Sequence, residues 1–160
     1  MARRSLFVFQ IFAIALCAAA SVTAAAGRQI GLAERTRGAH KVVVAKAVRV
    51  APEWRTTVHG DRLIVSQIAL QVEETLKGTP ANLMWIEMEG GTIDGVTLAV
   101  SSLPGMKAGD RAVFFLNETA SGTHVPHLKG VGIMKLDSSD RIHGSSLRLE
   151  DVRRQVLSAR

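Results

Sequence analysis

From His40 onward the chain alternates apolar and polar side chains with a period of two, the spacing of a half-buried β-strand. His40 to Val50 carries Val42, Val44, Val48 and Val50 on one parity, broken only at Lys46, which suits a strand with one interruption or bulge, ended by Pro52. Asp61 to Leu76 sets Ile64, Ile68, Leu70, Val72 and Leu76 against Gln67, Gln71 and Glu73, so a long strand with one wet face is expected. His59-Gly60-Asp61 between the two reads as a hairpin tip, because glycine accepts the positive φ of a tight turn. Leu83 to Glu89 alternates through Met84, Ile86 and Met88, and a shorter alternation runs through Val96, Leu98 and Val100. Ala112 to Leu116 is apolar at every position, the mark of a central strand covered on both faces. His124 to Leu136 supplies a last strand or pair, with Gly130 and Gly132 allowing a bend.

The period changes near the end. Leu149, Val152 and Val156 fall on one helical face, Glu150 and Asp151 sit in the first turn, and Arg153 and Arg154 follow, which matches the helix dipole and predicts a short helix over 148–158. Strands separated by Gly and Pro turns, with no alternation of strand and helix, indicate an all-β, mainly antiparallel sandwich or small barrel closed by that helix.

The first 26 residues follow neither pattern. Arg3 and Arg4, an apolar run from Leu6 to Ala20 and the small-residue tail Val22-Thr23-Ala24-Ala25-Ala26 have the three-part layout of a helical secretory signal peptide, with cleavage expected after Ala26 and, as the alternative, after Ala24. The apolar run is shorter than the roughly 20 residues that span a bilayer, so no stable membrane anchor is expected after its removal. Cys17 follows Leu16 rather than the small residue that lipidation needs. Residues 27–39 are polar and basic without periodicity and read as a flexible lead-in to a domain over 40–160.

Processing alters the composition. The whole chain of 160 residues has a formal charge of +6, but without Arg3 and Arg4 there remain 18 Lys+Arg against 14 Asp+Glu. The single cysteine and three of the five phenylalanines also leave, so the mature part has no disulfide and no cysteine metal site. Trp54, Trp85, Phe114 and Phe115 are too few aromatics for a nucleic-acid stacking surface, and no nucleic-acid partner is expected.

The order Val42-Val43-Val44-Ala45-Lys46-Ala47-Val48, Trp54, Leu70 to Gly78, Gly90-Gly91 and Leu103 to Leu116 resembles a group of small exported bacterial proteins of unknown function. Their strands and turns are similar to the OB-like barrels of the netrin and metalloproteinase-inhibitor type. The resemblance spans most of residues 41–136 and implies a small OB-like or Greek-key barrel. The metalloproteinase inhibitors chelate zinc through an N-terminal cysteine, which the mature part here lacks, so that mechanism does not carry over.

Candidate chemistry is sparse. His124 and His127 are the one close histidine pair, but in an extended chain i and i+3 point to opposite faces, and zinc needs further ligands such as His59, His143 or Asp140. Ser138, Ser139, Asp140 and His143 hold the letters of a hydrolase triad without a nucleophile elbow, and read as a turn. Glu73-Glu74 and the pair Glu87 and Glu89 read as wet-face carboxylates rather than a glycosidase pair. Gly90-Gly91 lacks the Lys-Ser/Thr of a phosphate loop, and Asn117-Glu118-Thr119 fits a glycosylation sequon without meaning for a bacterial protein. Arg148, Arg153 and Arg154 form a possible basic contact face toward anionic lipid or envelope polymer.

No cofactor is expected, and no catalytic residue is assigned. The expectation is an exported, periplasmic or extracellular, non-enzymatic binding module whose partner is an unidentified protein or envelope component. The alternatives are a metal-dependent or hydrolytic envelope enzyme using His124 and His127, and an extracytoplasmic protease inhibitor.

Overall fold

The computed structural model describes residues 30–159. The signal peptide expected over 1–26, with its cleavage site after Ala26, lies outside the described residues. Helix α1 (Leu32–Gly38) leads into strands β1 (Lys41–Thr56), β2 (Arg62–Lys77), β3 (Leu83–Glu89), β4 (Gly91–Ile93), β5 (Val96–Leu98), β6 (Arg111–Glu118) and β7 (His124–Pro126). A 3₁₀ turn (Lys129–Gly132), strand β8 (Ile133–Leu136) and helix α2 (Leu149–Ser158) follow. Six strands form one sheet in the order β1-β2-β3-β7-β6-β8, with β1 also paired to β6, and β4 and β5 make a separate hairpin. The sheet is antiparallel except for β3 and β7, which meet in parallel through Ile86 and His124. The fold is therefore mostly β with a C-terminal helix.

Alternation in β1 produces two cores. Val43, Ala45 and Ala47 face one way, packing with Ile68, Leu70, Met84, Ile86, Phe114 and Leu116. Val42 and Val44 face the other way and pack with Phe115, Val113 and Leu76 against Leu32 of α1 and Leu149, Val152 and Val156 of α2. Every residue from Ala112 to Leu116 is fully buried, as the apolar run predicts. Phe114 and Phe115 thus anchor opposite faces, and burying each side chain is worth roughly 1.5–3 kcal/mol.

Three expectations are corrected. Residues 32–38 are not a flexible lead-in: Leu32 is buried in the helical core, Thr36 is fully buried with its hydroxyl donating to Leu32 O at 2.8 Å, and Lys77 Nζ donates to Thr36 O and Ala39 O at 2.7 Å. A cation on the last carbonyls of a short helix satisfies groups that the helix itself leaves open. Pro52 does not end β1, which continues to Thr56 opposite β2. Beyond Ala47 only β2 pairs with β1, and an edge strand tolerates a proline that a central strand would not. Val48 leaves the inward row because the register with β2 shifts between Ala47 and Arg49, and it is 45% exposed.

Candidate ligand cavity

The far half of the β1–β2 ribbon, with the end of β3, forms the floor of a cavity of about 560 Å³. Val50, Pro52, Ser66, Ile68 and Met88 line this floor. The β4–β5 hairpin covers it from one side through Thr92, Thr97 and Leu98, and the loop from Ala99 to Asp110 closes the other. The volume is in the range of small-molecule sites, and the lining is mostly apolar, with two methionines, Met88 and Met106, able to adapt to a guest's shape.

Glycines and turn hydrogen bonds hold the two covers in place. Gly91 has φ +144, and a Cβ there would lie 2.7 Å from Ser66 Oγ and 2.9 Å from Pro52 Cβ, so the hairpin approaches the floor as only glycine permits. Ser66 Oγ donates to Gly90 O at 2.7 Å and fastens the same turn. The loop ends by exchanging backbone bonds with Ala47: Gly109 N donates to Ala47 O, and Ala47 N to Asp110 O, both at 2.8 Å. Midway, the loop lies so close to the 3₁₀ turn that a Cβ on Gly130 would overlap Ser102 O. Gly130 is thus required for close approach, a different reason from the bend expected of it.

Polar groups gather at one wall. Lys135 Nζ lies 2.7 Å from Asp110 Oδ2 and donates to Gly105 O at 2.9 Å. Asp110 Oδ2 also accepts from Lys107 N at 2.9 Å. Desolvation pushes the Asp110 carboxyl up, but the hydrogen bonds and charges of Lys135 and Lys107 together outweigh it and hold the group below the usual carboxylate range. The pair stays ionised while facing an apolar space.

The histidines lie elsewhere. His124 is on β7 opposite Glu118, whereas His127 lies against Gly38 at the end of α1, with Asn117 oxygen accepting from its Nδ1 at 2.9 Å. Burial first, and then the charges of His40 and Lys77, lower the His127 pKa. Among the described residues no group of three His, Cys, Asp or Glu could hold a metal ion. Asp137 organises the expected polar turn by accepting from Ser139 N at 2.8 Å and Arg141 N at 2.9 Å, and Asp140 is engaged by Arg111.

The candidate carboxylates and arginines mostly neutralise one another. Glu73 binds Arg111 at 2.6 Å, Glu74 binds Arg153 at 2.7 Å, and Glu87 binds Arg55 at 2.7 Å. Of the proposed basic face, Arg153 is therefore tied to β2, Arg154 lies 3.1 Å from Asp151, and Arg148 is the residue before α2, its backbone N–H donating to Asp151 at 3.0 Å. The cavity escaped sequence reasoning because its lining comes from six separated stretches. The available signal was the pair of glycine-rich turns, Gly90-Gly91 and Pro104 to Gly109, each beside apolar alternation.

No family model matches the chain, and no curated protein matches it.

Proposed function

We propose that this protein is an exported, non-enzymatic binding module built on a small OB-like barrel, and that its ligand is a predominantly apolar molecule held in the cavity beneath the β4–β5 hairpin. The barrel reading is supported by the pairing path, which runs β1–β2–β3–β7–β6 and returns to β1. The export reading rests on the arrangement of Met1 to Ala26 and places the protein in the periplasm or outside the cell. No helix among the described residues is long and apolar enough to cross a membrane.

The observation that carries the binding reading is the apolar cavity itself, kept open between covers that are pinned by Gly91, Ser66, Lys135 and the Ala47 backbone. Removing apolar ligand surface from water supplies about 25 cal/mol per Å², and a preformed site avoids the cost of ordering loops around the guest. Titration with the neutral fluorophore N-phenyl-1-naphthylamine tests this directly. One molecule should bind per chain with enhanced emission, and Val100→Trp, which fills the space, should abolish binding while the circular dichroism spectrum is unchanged. Binding that persists unaltered in Val100→Trp would overturn the assignment. For export, mass spectrometry of the protein recovered outside the cytoplasm should find a chain beginning at Gly27. An intact chain confined to the cytoplasm would refute it.

A further inference from the structure

The charges around the same cavity describe the polar end of its ligand. Two carboxylates, Glu89 and Asp110, and two ammonium groups, Lys107 and Lys135, line it, so the formal charge of the lining is zero. Asp110 and Lys135 are the more enclosed pair, with side chains 12% and 26% exposed, whereas Glu89 faces Lys129 across 3.5 Å near solvent. A lysine ammonium carries three N–H donors. Lys135 donates one to Gly105 O and lies 2.7 Å from Asp110 Oδ2 as an ion pair, which leaves N–H capacity without a hydrogen-bond partner among the described residues. Asp110 Oδ2 accepts from Lys107 N and faces Lys135, and Oδ1 accepts no hydrogen bond from the described residues. A donor and an acceptor therefore stand side by side at the wall of an apolar space.

Each class of ligand head meets this pair differently. A carboxylate or phosphate finds Lys135 already paired and Asp110 repelling it, and the other ammonium of the lining, Lys107, is exposed to solvent. An ammonium group meets the opposite conflict. A pure hydrocarbon covers both sites and leaves them desolvated without a partner, an unfavourable exchange for polar groups. An uncharged group with its own N–H and C=O satisfies both at once.

Building on the apolar-ligand reading, we propose that Asp110 and Lys135 select ligands whose polar end is an uncharged carboxamide, or a group that likewise donates and accepts, attached to an apolar chain or ring. Asp110 Oδ1 takes the ligand N–H and Lys135 Nζ donates to the ligand carbonyl. Both residues also hold the loop wall through Lys107 N and Gly105 O, so the recognising groups are fixed before the ligand arrives.

Decanamide, decanoate, decylamine and decyl methyl ether share one chain and differ only at the head, and displacement of N-phenyl-1-naphthylamine from the intact protein ranks them. Decanamide should bind at least tenfold tighter than each of the other three. In the Asp110→Asn, Lys135→Met double variant that preference should shrink below threefold, while affinity for the ether holds or rises. Decanoate or decylamine binding as tightly as decanamide, equal binding of all four, or an unchanged ranking in the double variant would overturn the head-group assignment and leave the cavity reading standing. Failure of the naphthylamine probe to bind at all would instead remove the cavity reading on which the assignment rests.

Discussion

Strand β1 contains two halves that do different work. From Val42 to Lys46 it is paired on both edges, to β2 and β6, and every side chain from Val42 to Ala47 except Lys46 is buried, on both faces. From Arg49 to Thr56 it keeps β2 as its one strand partner, carries a proline, and turns Val50, at the margin of the core, and Pro52 toward the recess. The bulge at Val48 separates the two. The same alternation of residues thus builds a sealed support in one half and the floor of a recess in the other. Side chains in the first half answer to packing, and side chains in the second are free to answer to a ligand.

Substitution should expose this division most strongly in the sealed half. Phe114→Ala, which empties a fully buried position, should cost about 3–5 kcal/mol in denaturant unfolding, against under about 1 kcal/mol for Val100→Ala at the cavity wall. Equal losses at the two sites would erase the contrast. Gly38→Ala comes next. Its Cβ would sit 2.5 Å from His127 Nε2, so overpacking of about 1–3 kcal/mol is expected, and His127→Ala in the same chain should recover most of it.

A smaller effect follows from pH. His127 titrates below its ordinary value in the folded chain, so around the ordinary imidazole pKa of 6.5 the unfolded chain binds more protons there. Its stabilising contribution is present above that value and is lost as the pH falls through the folded pKa. The denaturation midpoint should therefore drop between about pH 7.5 and pH 5 more steeply in the native sequence than in His127→Gln. Parallel curves would show that the contact between Gly38 and His127 does not depend on this proton. The smallest effect belongs to the surface. Arg153→Ala breaks a half-exposed pair with Glu74 and should cost under about 1 kcal/mol, measured by thermal unfolding.

How much the sequence disclosed follows the same line. The sealed half was legible because burial on a sheet face writes itself as alternation: Ile64, Ile68 and Leu70 are inside where their parity places them, and the run Ala112 to Leu116 is central. Helix α1 was hidden because seven residues offer too few turns for a period, and only Leu32 and Thr36 are buried on it. Pro52 misled because a proline signals the end of a strand only when both edges must bond. The cavity was invisible because Val50, Met88, Leu98, Met106 and Lys135 meet only through the tertiary fold. His124 and His127 attracted attention by spacing alone, and the structure gives His127 a packing role beneath α1.

The most direct measurement is an amide and methyl NMR titration of the intact protein with decanamide. Shifts confined to Val50, Ser66, Ile68, Met88, Val100, Met106 and the Asp110–Lys135 wall, saturating at one molecule per chain, are expected. Shifts centred on the exposed Trp85 and Leu83, on α2, or nowhere would contradict the assignment of the recess as the binding site.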